Sequence, residues 1–474
     1  MIAGYGMAGA RLAEDIRRRD PAGERVAVTA VGEEKRYPYN RVLLSSVVDG
    51  SLPPAAIALQ DGDWAVEHGV DLRLGLGVAA LDRAARTVLL TDGSTVDYDV
   101  LVLATGARPW LPPVDGLTGA DGEPAPGVLA FRTLDDAERV RHAAAGAAAV
   151  AVLGGGLLGV EAARALAVRG NRVTVVHPVG HLMERQLDPT AGAVLARTLA
   201  HLGVDVRTGA TAERYVPGRG LVLAGGDLVP ADRVLVSAGV RADTALAARA
   251  GLVTDRGVVV DDALRTSDPR IHAIGDCAQH PGTVSGLVQP AWEQAGVVAD
   301  LVTGTDVTAR YRGTPVVTRL KARDVDLVAL GDTQAALDEP DAEVVCLTHV
   351  TRGHYAKLVV RDEKVSGAIV LGAPETAATI TQFYDQRLPV PADRLALLLG
   401  RPSDVPSPEE WPDTGVVCRC NAVTKAALVS AWRGGARGVA EIADTTRATT
   451  GCGGCAGRVR SLADWLSERE RAHA

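Results

Sequence analysis

Aromatic residues, lysine and cysteine are all scarce in this sequence, and each shortage excludes something. Aromatics make up 3% of the 474 residues, with only 2 Phe, so its cores have to be aliphatic. Of the 50 basic residues the only lysines are Lys35, Lys321, Lys357, Lys364 and Lys425, an arginine bias of composition to which no function attaches. There is no excess of positive charge: the formal net charge is −8 and the pI near 5.7, which argues against a nucleic-acid footprint. No charged segment followed by a cleavable apolar stretch opens the chain, so it reads as cytoplasmic. The ten histidines form no HExxH cluster and no GxSxG elbow occurs, which leaves a hydrolase nothing to work with. One run, Ala143 to Val160, is long and uncharged enough to suggest a membrane span. Its glycines follow a nucleotide-loop pattern and no aromatic belt flanks it, so it reads as strand, loop and helix start, and no membrane is expected.

What is present is an α/β composition, 47% hydrophobic with 52 glycines, in a chain too long for one core; three or four units are expected. The same device occurs twice. IAGYGMAGARLAEDIRRRD and VAVLGGGLLGVEAARALAVRG are each an apolar strand, a glycine loop and a helix, followed by the second strands VAVTAVGEE and NRVTVVHP. Pro109 to Gly127, rich in breakers, reads as a connector between domains. The later apolar pattern LRTSDPRIHAIGDCA is placed back in the first nucleotide domain, so the second is inserted into the first. Residues from about Arg310 to Pro391 alternate polar and apolar and then turn helical, a small α+β unit. The proline-rich stretch Arg401 to Thr414 is expected to be a linker that lets a C-terminal cysteine module move. The expected division is 1–108 with 242–305 for the first nucleotide domain, 128–238 for the second, 306–398 for the α+β unit and 415–474 for the cysteine module.

In the first copy Gly4, Gly6 and Gly9 form GxGxxG. The first glycine permits the turn, the second lets backbone approach a pyrophosphate, and the third lets helix pack on strand. Glu33 stands at the end of the next strand, where an acid binds ribose hydroxyls. In the second copy Gly154, Gly156 and Gly159 repeat the loop, but the position matching Glu33 is His177. Histidine removes the repulsion of a 2′-phosphate without supplying the usual arginine, so NADH and NADPH both stay open, with Arg172 and Arg185 as candidates for a phosphate contact. The alternative for His177 is a solvated strand end. Asp261-Asp262 and Glu33-Glu34 read as turn or strand-end residues, Glu33 excepted. Trp292 and Glu293 follow the Asp276 loop on a helix, as packing residues or beside a flavin ring.

Of six cysteines, Cys277 and Cys346 stand alone and are expected to be small buried hydrophobes. Neither nucleotide loop has a CxxC or CxxxxC pair nearby, so a dithiol-disulfide cycle has no residues to run on. The other four make Cys418-x-Cys420 and Cys452-x-x-Cys455. Without a signal peptide that pattern favours metal over disulfide. Four thiolates can hold a [2Fe-2S] cluster, and the neighbouring Gly451, Gly453 and Gly454 bring amide groups near sulfur; zinc uses the same ligand set, and the tight CxC favours iron.

GYGMAG, YPYNRVLLSS from Tyr37, LATGARPW from Leu103, GGGLLGVEAA from Gly154 and TSDPRIHAIGD from Thr266 together resemble the FAD-dependent pyridine nucleotide reductases with two dinucleotide folds. They are similar to the N-terminal half of the assimilatory NAD(P)H nitrite reductase large subunit, whose relatives include electron-transfer subunits of assimilatory nitrate reductases. The C-terminal module is similar to bacterioferritin-associated ferredoxin. The resemblance implies that Gly4, Gly6, Gly9 and Glu33, with Met7 and Ala8 at the helix start, hold the FAD adenosine diphosphate. It implies Arg41 at the phosphate or ring, Thr105 and Gly106 beside the flavin, and Asp276 on the ribityl hydroxyls. Gly154, Gly156, Leu158, Gly159 and the turn at Gly239, with His177, would receive NADH or NADPH. It also implies hydride transfer from nicotinamide to flavin, with no catalytic acid or base, then single electrons to the cluster and on to a separate acceptor, a molybdenum nitrate reductase. Two departures carry expectations. The chain stops at Ala474 before any sirohaem domain, so nitrite reduction by that route is not expected. The first strand is clipped to Met1-Ile2-Ala3, so either the true start lies upstream or FAD binds poorly. Two rival readings are a flavin and iron-sulfur subunit of an amino-acid, opine or cyanide-forming dehydrogenase, and a non-enzymatic metal-sensing regulator.

Overall fold

In the computed structural model, which describes residues 1–401, 407–451 and 453–473, the chain divides into two compact units. The first is Met1–Arg41, Pro53–Trp110 and Val240–Thr314; the second is Val42–Leu52, Leu111–Gly239 and Pro315–Ala474.

The first unit is built on a five-stranded sheet in the order Ile271–Ala273, Leu101–Leu103, Ile2–Ala3, Val28–Gly32, Val70–Leu74, parallel throughout. The inner strands of such a sheet are covered on both faces, so they are largely apolar rather than alternating; Ile2, Leu101, Leu103 and Ile271 are all essentially inaccessible. Ile2–Ala3 is short but central, with Ile2 opposite Ala30 on one side and Val102 on the other. Helices Met7–Arg19 and Val288–Thr303 pack together. The former buries Leu12, Ala13 and Ile16 and ends in Arg17, Arg18 and Arg19, where the helix dipole favours cations. The strand Ile271–Ala273 joins the first sheet, as its apolar pattern implies. The second fold is inserted into the first: outgoing Ala107–Pro109 and returning Val240–Ala242 pair antiparallel where the chain leaves and re-enters.

The second unit repeats the plan with the parallel order Val204–Thr208, Arg172–His177, Ala149–Leu153, Arg233–Val236, Val128–Ala130. The suspicious apolar run spans the end of helix Leu134–Ala145, the buried strand Ala149–Leu153 and the start of helix Leu157–Val168. Among the described residues no helix is long and apolar enough to cross a membrane. Then comes an antiparallel sheet, Val317–Ala322, Val325–Gly331, Lys364–Leu371, His354–Arg361, Glu343–His349, covered by helix Pro374–Gln386. Last are the short pair Val416–Cys418 and Val423–Thr424 and the helices Lys425–Arg433, Val439–Thr446 and Ala456–His473, around Trp411, Leu428, Trp432, Ile442, Val459 and Leu462.

Two expectations are corrected. Cys346 is exposed, because it lies on the edge strand Glu343–His349, whose outer residues face solvent. The stretch Arg401 to Thr414 is not all linker. Residues 402–406 lie outside the described residues, but Trp411 is buried in the C-terminal core and its carbonyl accepts a 2.6 Å bond from Lys425 Nζ. The second half of that stretch is therefore part of the C-terminal module.

Candidate functional site

The two glycine loops have one geometry, produced twice by the same spacing. Gly4 has φ +106° and Gly154 φ +119°, backbone that favours glycine. A Cβ on Gly4 would overlap the Ala104 carbonyl, and one on Gly154 the Ser237 carbonyl, so the loop lies against the end of the neighbouring strand in both. Gly4 N–H donates to Val31 and Gly154 N–H to Val176, each at 2.9 Å. Gly9 and Gly159 sit one helical turn on, where a Cβ would overlap the carbonyl of Gly4 or Gly154. Gly6 and Gly156 are the N-caps of helices Met7–Arg19 and Leu157–Val168, and neither helix has a side-chain cap or an acid in its first turn. The first amides of each helix, together with the positive end of its dipole, are thus left to a phosphate. With backbone held this close by glycine and helix amides left uncapped, both loops fit a dinucleotide pyrophosphate.

Around the first loop, Met7 and Ala8 form the first helical turn. Arg41 lies beside Gly6, is ion-paired with Glu34 and stacks 5.1 Å from the Tyr39 ring centroid. Tyr5, between the glycines, donates to Gln60 at 2.8 Å; burial pushes its hydroxyl well above the ordinary tyrosine range. Glu33 is exposed and accepts from Arg108 at 3.1 Å, while Arg108 also reaches Asp243 at 2.8 Å. Burial works against the Arg108 charge, but Asp243 and Glu33 outweigh it and raise its pKa. Thr105 Oγ1 donates to the Asp243 carbonyl at 2.9 Å, and Gly106, at φ +74°, accepts from Asp243 N–H. Asp276 sits in the turn Gly275–Cys277, whose Gly275 N–H is held by Gln294 at 2.8 Å. Trp292 is buried on the same helix as Gln294, under Arg11. Its indole Nε1 has no hydrogen-bond partner among the described residues. Cys277 is fully buried, and burial pushes its thiol up, which makes it inert.

At the second loop, the solvated-end alternative for His177 is corrected: the side chain is buried, since the chain after it folds back over the loop. Nδ1 accepts from Gly155 N–H at 3.1 Å and Nε2 faces Glu184 at 3.0 Å, while Met183 N–H donates to the Gly155 carbonyl at 3.0 Å. Both sides of the Gly155 peptide unit are clamped by one segment. Leu158 lies in the first turn of the helix, and Gly239, at φ +113°, has open space where a side chain would stand. Arg185 is exposed.

Cys418 Sγ is 3.7 Å from Cys420 Sγ. The bond from Cys420 lowers the Cys418 pKa, but the adjacent Cys455 thiol and burial outweigh it and push it up to about 12. A Cβ on Gly451 would overlap Cys420 Sγ, the close backbone approach expected around a cluster. Cys452 lies outside the described residues, and among those described no group of three or more His, Cys, Asp or Glu is placed to hold a metal ion. Sequence reasoning missed Arg108, Glu184 and Asp385, the carboxylate that pairs with Arg419 between Cys418 and Cys420. Arg108 follows Thr105 and Gly106 closely enough to have been singled out, but nothing in the spacing marks the other two.

Residues 1–295 match the family model described as pyridine nucleotide-disulphide oxidoreductase, 316–387 that of the rubredoxin NAD+ reductase C-terminal domain, and 416–465 that of the BFD-like [2Fe-2S] binding domain. A nitrite reductase [NAD(P)H] of Bacillus subtilis is 33% identical over 96% of this chain and 56% of its own length. The assimilatory nitrate reductase electron transfer subunit of the same organism is 31% identical over 99% of this chain and 60% of its own. The chain thus spans little more than half the length of these curated relatives. Among solved structures, the ferredoxin reductase for the CYP199A2 system of Rhodopseudomonas palustris superposes with a TM-score of 0.69 at 28% identity, over 78% of this chain and 90% of that one. The chain therefore belongs to the pyridine nucleotide-disulphide oxidoreductase family, as an FAD- and NAD(P)H-binding reductase that also carries a BFD-like [2Fe-2S] binding domain.

Proposed function

We propose that this protein draws electrons from NAD(P)H and delivers them one at a time, through its [2Fe-2S] domain, to a separate catalytic partner in nitrate assimilation, a molybdenum nitrate reductase. The observation that supports it is the joining, in one chain, of two pyrophosphate cradles and a four-cysteine domain. The match over 99% of this chain to a nitrate reductase electron transfer subunit supports it further. FAD in the first cradle would supply the chemistry that turns a two-electron hydride donor into a one-electron source. The protein's part is binding and orientation. Gly4, Gly6, Met7, Ala8 and Gly9 present helix amides to the FAD pyrophosphate, with Glu33 at the ribose and Arg41 nearby; Thr105, Gly106 and Asp276 line the flavin side. Gly154, Gly156, Leu158, Gly159, His177 and Gly239 receive the nicotinamide nucleotide. Cys418, Cys420, Cys452 and Cys455 hold the cluster. No acid or base is required for hydride transfer.

A second reading is favoured by the 33% identity to a nitrite reductase: these residues form the electron-input part of a nitrite-reducing protein. An anaerobic visible spectrum before and after NADH, then NADPH, tests the shared core of both. Bleaching of flavin followed by loss of the cluster absorbance is expected. Flavin that stays oxidised with both nucleotides overturns it and favours a dehydrogenase subunit; a flavin-only spectrum turns the cysteine site to zinc. Nucleotide-driven turnover with purified nitrate reductase, against nitrite consumption without it, separates the two readings.

A further inference from the structure

The cysteine module is seated on the antiparallel-sheet unit by charges. Arg419, the residue between Cys418 and Cys420, donates Nε to Asp385 Oδ1 at 2.8 Å and Nη1 to the Pro315 carbonyl at 3.1 Å. Its guanidinium also lies over the Tyr384 ring. Arg458, on the helix that follows Cys455, reaches Asp385 Oδ2 at 3.4 Å and the Val417 carbonyl at 2.7 Å. Asp385 is 5% exposed, so one buried carboxylate at the end of helix Pro374–Gln386 gathers an arginine from each half of the cysteine set. Arg319, from strand Val317–Ala322, stands against the second half: a Cβ on Gly454, inside the Cys452 to Cys455 loop, would overlap its guanidinium.

Arg419 and Arg458 both pair with Asp385, and nearby Lys321 pairs with Glu161 at 3.3 Å. Among the described residues no carboxylate pairs with Arg319. We propose that Arg319 sets the reduction potential of the cluster from outside its own module, and that reduction in turn tightens the module on this seat, a role that rests on the four cysteines holding a [2Fe-2S] cluster. Reduction adds one electron, taking one of two ferric ions to ferrous with no proton or leaving group, so the site becomes more negative by one unit. A cation fixed against the ligand loop stabilises that state more than the oxidised one. Coupling between sites is reciprocal, so whatever the seat does for reduction, reduction does for seating.

The test uses the full-length holoprotein and an anaerobic potentiometric titration followed by EPR, with mediators supplying the electron. Arg319→Gln is expected to lower the cluster potential, and Arg319→Lys to keep most of the wild-type value. Asp385→Asn removes a negative charge beside the same loops and leaves two arginines uncompensated, and is expected to raise it, the opposite sign to Arg319→Gln. The flavin potential, read in the same titration, is expected to stay where it is. Amide exchange at residues 416–424 is expected to be slower in the reduced than in the oxidised protein, with the difference lost in Arg319→Gln. An Arg319→Gln protein that titrates at the wild-type potential overturns the proposal. Should that variant hold no cluster, an unshifted potential in Asp385→Asn overturns it instead. A wild-type protein with no [2Fe-2S] EPR signal overturns the cluster assignment itself, and this role with it.

Discussion

Adding one methyl group at Gly9 and, separately, at Gly159 separates the functions of the two cradles. In each case the new Cβ would overlap the carbonyl of the first glycine of its own loop. It would also come within 3.2 Å of Ile2 Cγ2 in the first, and within 3.5 Å of Ser237 Cβ in the second. Neither residue has positive φ, so the effect is purely steric: the helix must move off the strand and carry its uncapped amides with it. Overpacking of this kind costs typically about 1–3 kcal/mol. If that energy falls on the ligand-competent loop, binding weakens roughly 5- to 150-fold, at about 1.4 kcal/mol per decade. Gly9→Ala should therefore lose flavin on dilution while still binding NAD+ or NADP+. Gly159→Ala should keep its flavin at wild-type occupancy and need a correspondingly higher nucleotide concentration to bleach it. Flavin per polypeptide after gel filtration, and equilibrium titration with nucleotide, measure the two. A Gly9→Ala protein with wild-type flavin affinity, or a Gly159→Ala protein that loses flavin instead of nucleotide affinity, would refute the assignment of one nucleotide to each loop.

Cys418→Ser should abolish the iron-sulfur absorbance without changing flavin occupancy, because the cysteine module has a core of its own; a cluster at wild-type yield would show that Cys418 is no ligand. Thr133 caps helix Leu134–Ala145 in a reciprocal box with Asp136. Thr133→Ala should cost about 1 kcal/mol in chemical denaturation, and no shift in the midpoint would mean the box contributes nothing. Burial holds the His272 pKa below its ordinary value of 6.5, the bond to the Ala263 carbonyl opposing only in part. The unfolded chain therefore takes up a proton first as pH falls. The stabilisation from neutral His272 is complete above 6.5 and is lost progressively below it, down to the lower pKa of the folded protein. Denaturation midpoints should fall between about pH 7 and pH 5 by less in His272→Asn than in wild type; equal slopes would remove His272 from the account.

What the sequence determined by itself are the features carried by local spacing. GxGxxG leaves one conformation open at Gly4 and Gly154, where any larger residue would meet a neighbouring carbonyl, so both loops were legible before any fold was known. The apolar runs pointed to parallel strands because a strand buried on both faces is mostly apolar, and the CxC and CxxC pairs announced a cysteine module. Contacts between residues distant in sequence were not legible. Only the tertiary structure turned His177 into a buried clamp on Gly155 and gave it Glu184, because the segment after the strand doubles back. Only it exposed Cys346 on a sheet edge and drew Trp411 out of a proline-rich stretch into a core. Asp385, more than thirty residues before Cys418, looks like any helix-end acid until folding buries it between Arg419 and Arg458. Periodicity and spacing encode what a residue does to its neighbours in the chain; which charges meet in the interior is decided by topology, and there the low dielectric makes the meeting count most.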